Sequence, residues 1–194
     1  MNENERPSEW ITMFCLNSTS ASPEQLLEEI MADERCPAFG PAHHFIAGAV
    51  MLTCYRNQEG APDRNRRLSD DLAKLEERSA CVPGAACARW GVCGAAASVG
   101  MAYAIVEGNE PLKQKGWAEG QHMVARILEL IARAGAPRCC KRDTRIAVTE
   151  ATKTFNGFPG CHLRSMPKRP ICRTMPDNTV CLGAGCSYHP GFAG

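Results

Sequence analysis

The sequence is poor in aromatic residues, has no excess of charge and contains no long apolar run. Each lack removes a class of protein. Aromatics make up 6% of the 194 residues, while Gly and Ala are plentiful, which favours closely packed helices over an aromatic-rich sheet. A formal net charge of +1 gives no global field to draw nucleic acid or an acidic partner. No apolar stretch approaches the roughly 20 residues that a membrane-spanning helix needs. The polar start MNENERPSEW lacks the basic residues and apolar core of a secretory signal. The expectation is a cytosolic chain with no membrane contact. The phosphate-cradling loop, dinucleotide fingerprint, GxSxG elbow and HExxH helix are also missing. No aromatic-interleaved RNA-binding motif is present, so nucleic acid is not an expected partner.

What the chain does have is cysteine, twelve in all. Stable disulfides are rare in a reducing cytosol, so the thiols point to metal ligation, redox chemistry or sulfur chemistry. A composition of 44% hydrophobic and 22% charged residues fits a folded globular chain.

Helical signals dominate. Ser22-Pro23-Glu24 reads as an N-cap with Pro at the first helical position. Gly40-Pro41 opens a helix through AHHFIAGAVMLTCYRN. Leu68, Leu72 and Leu75 form one stripe of a charged-faced helix. Pro83, Gly84 and Gly91 break the chain into a loop before a helix of small residues from about Val92 to Val106. A long helix is predicted from Trp117 to Ala134, with Met123, Ile127, Leu130 and Ile131 buried. Asp143 reads as the N-cap of a last helix, TRIAVTEATKTF. The predicted organisation is an acidic segment with one helix (1–35), a helical Cys-rich core (36–156) and an irregular Cys-bearing tail (157–194). Residues 1–35 hold eight acids against two bases, net −6, and residues 138–173 hold nine bases against two acids, net +7. The fold class predicted is all-α, a compact bundle of five to six helices with an irregular tail.

The cysteines fall into three groups. Cys81, Cys87 and Cys93 are separated by five residues each, with Gly84 and Gly91 turning the backbone so that amides face inward. An iron–sulfur cluster needs such thiolates, tight turns and N–H donors, although this spacing matches no standard ferredoxin or zinc run. Cys139 and Cys140 are adjacent, so their side chains point in different directions and need not serve one metal. Arg138, Lys141, Arg142 and a helix start lie beside them and favour thiolate. Cys172, Cys181 and Cys186 offer a chelating C-x4-C step with His189 three residues on, and either zinc or a cluster would order the tail. Cys36 or His189 can complete a four-ligand set. His43 and His44 sit in a first helical turn, where the dipole disfavours imidazolium and a neutral ring can bind metal or move protons. The bland alternatives are small buried hydrophobes for the thiols and structural roles for the histidines.

HHFIAGAVMLTCY, VPGAACARWGVCGAAASVGM, RCCKRDTRIAVTEA and the closing CLGAGC together resemble a Cys-rich prokaryotic domain family of unknown function. The resemblance runs from about Cys36 to His189. It falls on His43, His44, Cys87, Trp90, Cys93, Gly94, Pro137, Arg138, the Cys139-Cys140-Lys141-Arg142 run and the three tail cysteines, and does not clearly include Cys15, Cys54, Cys81 or Cys161. It implies a domain that occurs alone or attached to radical-SAM or methyltransferase-type enzymes, which are the partner class expected.

The resulting reading is a protein that holds an iron–sulfur cluster, of the 4Fe–4S type, for redox or sulfur-transfer chemistry on a small or protein-bound substrate. The metal ligands expected are Cys87, Cys93, Cys139, Cys140, Cys172, Cys181 and Cys186, with the tail clipped over an open iron site. Trp90, Gly91 and Gly94 are the expected cofactor contacts. His44, Lys141 and Arg142 are the expected catalytic groups, the two cations balancing thiolate charge or gripping an anionic substrate. The competing readings are a zinc-stabilised accessory or interaction module and a thiol oxidoreductase using Cys139 or Cys140.

Overall fold

A computed structural model describes residues 7–193. Among the described residues there is no strand, and eight α-helices follow one another: α1 Pro7–Asn17, α2 Pro23–Ala32, α3 Ala42–Gln58, α4 Arg64–Ala80, α5 Ala86–Arg89, α6 Gly94–Glu107, α7 Trp117–Ala134 and α8 Cys140–Phe155. Two single 3-10 turns, Met175–Asp177 and Gly183–Gly185, interrupt an otherwise irregular C-terminal stretch. The all-α class holds, but the count exceeds the five or six expected. The additions are α1 and the one-turn α5.

Helix α3 is the axis of the bundle. Its residues Phe45 to Cys54 are buried without a polar face, as expected of a helix enclosed on all sides. Helices α1, α2, α4, α6 and α8 all pack on it. The acidic N-terminal stretch therefore carries two helices instead of one, and both belong to the core. Trp10, Ile11 and Cys15 give α1 its buried face. In α2 the Ser22 hydroxyl accepts a hydrogen bond from the Gln25 amide, and Leu26, Leu27, Ile30 and Met31 face inward. Leu68, Leu72 and Leu75 of α4 are buried as their spacing predicts. On α7 the burial is narrower than expected, since Met123 and Ile127 are enclosed while Leu130 and Ile131 are half-buried.

The approach of α6 to α3 depends on small side chains. A Cβ at Gly48 would lie 2.7 Å from the Ser98 carbonyl oxygen and 2.9 Å from both Leu75 methyls. Ala95, Ala96, Val99 and Ala102 fill the facing side of α6. The helix predicted to have Asp143 as its N-cap starts four residues earlier, with Cys139 as its N-cap. Asp143 is instead a buried residue of the first turn, and its carboxylate accepts from Arg142 Nε at 3.0 Å. That shift places Cys140, Lys141 and Arg142 on the helix.

Helix propensity alone favours Ala over Gly by about 1 kcal/mol, whereas overpacking a core typically costs about 1–3 kcal/mol. The backbone contact at Gly48 cannot yield by a rotamer change, so Gly48→Ala should destabilise the protein by roughly 1–3 kcal/mol in urea denaturation. A neutral or stabilising effect would show that α3 and α6 are less closely packed than described.

Candidate functional site

The N-terminal ends of α3, α6 and α8 meet at a cavity of about 100 Å³. Its walls include His43 and His44 from α3, Cys93, Gly94 and Ala95 from the start of α6, Cys140, Asp143 and Thr144 from α8, and Cys87 of α5 with Ala85 just before it. Helix starts expose unpaired amides and the positive end of the dipole, which suits anionic sulfur. The Cys140 sulfur accepts from the Gly40 amide at 3.4 Å and from Arg138 Nη1 at 3.3 Å. Burial pushes the Cys93 thiol up to about 11, although the Ala96 and Ala95 amides pull the other way without forming a capping hydrogen bond.

His43 is buried and His44 half-buried, and burial favours the neutral ring in both. Burial lowers the His43 pKa to about 3, and its Nδ1 lies 3.2 Å from the Gly40 carbonyl. Burial also lowers His44, against the Val82 carbonyl, which favours its charged form. The His44 ring occupies the space that a Cβ on Gly94 would take. Gly94 thus makes room for an imidazole. Among the described residues, five buried side-chain atoms lack any hydrogen-bond partner. His43 Nε2, His44 Nδ1 and Thr144 Oγ1, three of the five, belong to residues that line this cavity. Native proteins seldom leave such groups unpaired without a ligand, ion or water to satisfy them.

Cys139 faces elsewhere. It lines a second, tighter cavity with Cys172, Cys181 and Cys186 from the tail and with Arg142, Arg145, Asn178 and Tyr188. Asn178 Nδ2 donates to its sulfur at 3.6 Å. Burial raises the Cys139 pKa despite the amides of Arg142 and Lys141, so the expected helix-start activation loses to desolvation there. The Cys172 thiol moves the other way, because hydrogen bonds from Thr174 and the Arg145 guanidinium together overcome its burial. The tail cysteines do not line the first cavity, which corrects the expectation of a tail clipped over it.

Several expected site residues lie outside both cavities. Trp90 is 58% exposed, and Gly91 turns the backbone at φ +69° with open space around it. Cys81 is exposed. Lys141 is 1% exposed, with Nζ 3.2 Å from the Met31 carbonyl and 3.3 Å from Cys36 Sγ. It is therefore walled off from any bound substrate and pins α8 to the α2–α3 connection. Arg142 does line the second cavity, but it is 3% exposed and held by Asp143 and by the Gly135 carbonyl at 2.6 Å. Cys15, Cys54 and Cys161 are core residues. Gly40, Thr144, Arg145 and Asn178 were not signalled by the sequence. The first two lie within or beside recognisable helix starts, whereas nothing local marks Asn178. Among the described residues, no three His, Cys, Asp or Glu side chains stand close enough to share a single metal ion.

Residues 11–189 match the family of unknown function DUF5714. No curated protein and no solved structure matches the chain. Among the described residues, no helix is long and apolar enough to cross a membrane.

The Gly94–His44 contact gives a direct structural test. A crystal structure of Gly94→Ala should show the His44 ring swung away from the start of α6. An unmoved ring over an intact α6 would contradict this placement.

Proposed function

The chain belongs to this family of unknown function, and from its geometry we propose that it holds an iron–sulfur cluster where α3, α6 and α8 begin, for redox or sulfur-transfer chemistry. The observation that carries this reading is the coincidence of three thiols, Cys87, Cys93 and Cys140, with three unpartnered buried polar atoms around one cavity. Among the described residues no three His, Cys, Asp or Glu side chains stand close enough to share one ion, which favours a cluster over a lone zinc ion. Zinc draws its thiolates to about 2.3 Å from one centre, whereas a cluster spreads its thiolates over separate irons.

Bound there, the cluster would supply an electron or an iron open to a substrate sulfur. Cys87, Cys93 and Cys140 would hold it, with the Gly40 amide and Arg138 donating to the Cys140 sulfur and so stabilising its negative charge. Three thiols leave a fourth position for His44 or for a small or protein-bound substrate. His44, which burial shifts toward the neutral ring, could accept a proton from a substrate thiol in the cavity. Asp143 lines the same wall, where burial raises its pKa against the pull of the neighbouring Arg142. The partner class that the family resemblance implies is a radical-SAM or methyltransferase-type enzyme.

Protein isolated anaerobically should be brown and contain iron and acid-labile sulfide in comparable amounts. Cys87→Ser, Cys93→Ser and Cys140→Ser should each lower both sharply, and Cys15→Ser and Cys54→Ser should leave them unchanged. Colourless protein carrying stoichiometric zinc would replace this reading with the zinc-stabilised module. Full iron in all three site variants would remove the cluster from this cavity.

A further inference from the structure

We propose that Cys139, Cys172, Cys181 and Cys186 form a second metal centre, separate from the first, that fastens the C-terminal tail to the start of α8. Its occupant is a thiophilic metal held by four thiolates, a class that comprises zinc ions and iron–sulfur clusters. The inference does not depend on what fills the first cavity.

The first support is composition. All four thiols line one cavity of about 20 Å³, and no carboxylate lines it. The second is charge. Arg142 and Arg145 line the same cavity at 3% and 5% exposure, and Arg142 Nη1 is buried with no partner. Burying a charged donor unsatisfied is costly, and an anionic metal–thiolate group beside it would remove that cost. Asn178, Thr174 and the Gly183 amide also contact the sulfurs of Cys139, Cys172 and Cys181. Donors around sulfur are the usual outer shell of a thiolate centre.

The third support concerns what orders the tail. Beyond Leu163, none of the described apolar side chains is buried. In that stretch the one buried residue is Asn178, whose amide reaches Cys139. An irregular segment of this length with so little apolar burial lacks the usual means of paying its ordering entropy. Metal binding provides folding free energy where a core does not. The four thiols do not yet converge on one point. Loading therefore requires side-chain rotation, which is available to Cys172, Cys181 and Cys186 because they lie outside the α-helices.

The test uses the full chain purified anaerobically, with iron, zinc and sulfide measured per chain and the tail probed by limited proteolysis. Cys139→Ser, Cys181→Ser and Cys186→Ser should each lose one share of the metal and keep the share that a Cys87→Ser/Cys93→Ser double variant loses. Proteases should then cut between about residues 164 and 190 while the helical circular dichroism persists. If a variant does not fold, gradual chelation of the wild-type protein should expose the same cuts before the helices melt. Full metal content in all three variants would overturn the proposal, as would a tail still protected after complete metal removal. Loss of all metal both in these three variants and in the Cys87→Ser/Cys93→Ser variant would also overturn it, by showing one shared centre. A protein whose metal depends on the tail cysteines alone would uphold this centre and sink the cluster in the first cavity.

Discussion

The position of the first turn of α8 controls everything around it, because Cys139 and Cys140 are neighbours in the chain and line different cavities. A rotation of that turn would empty both. It is held by buried cations. Arg145 makes a two-pronged contact with Glu28 of α2 at 2.6 and 2.8 Å. Lys141 reaches the Met31 carbonyl and Cys36, and Arg142 reaches the Gly135 carbonyl. Such buried charges are poor contributors to net stability. Arg142 and Arg145 also line the cavity of the four thiols, where the proposed metal–thiolate centre would give them a negative partner.

Convergence of the three helix starts depends in turn on close backbone packing. Gly48 brings α3 against the Ser98 carbonyl, and Gly94 gives the His44 ring its place at the start of α6. At the other end of the bundle, Tyr55, Tyr103, Phe155 and Phe158 pack edge-on or stacked with centroids 5.1–6.2 Å apart. These four aromatics fill one end of the bundle, and small residues and polar groups line the first cavity at the helix starts.

Much of this was legible from local pattern. Periodicity and capping located α2, α3, α4 and α7 because each has either a clean apolar stripe or clear punctuation, and the C-terminal stretch read correctly as irregular. The adjacency of Cys139 and Cys140 already implied two directions. Other features needed the third dimension. Asp143 is chemically a good N-cap, but the buried pairing with Arg142 outweighs that local preference and moves the helix start to Cys139. Trp90 and Gly91 share a motif with Cys87 and Cys93 but lie on the outer side of the turn. Lys141 reads as a surface cation beside thiols, and only tertiary packing shows it enclosed. Asn178 carries no local signal, since its role is set by a cysteine 39 residues away.

The central claim is that adjacent cysteines at the start of α8 serve two distinct centres. Diffraction from anaerobically grown crystals, recorded at the iron and zinc absorption edges, tests it most directly. The account predicts two anomalous peaks, one on the Cys140 side bounded by Cys87 and Cys93, the other on the Cys139 side bounded by the tail cysteines. A single peak bridging Cys139 and Cys140, or peaks remote from the start of α8, would contradict it.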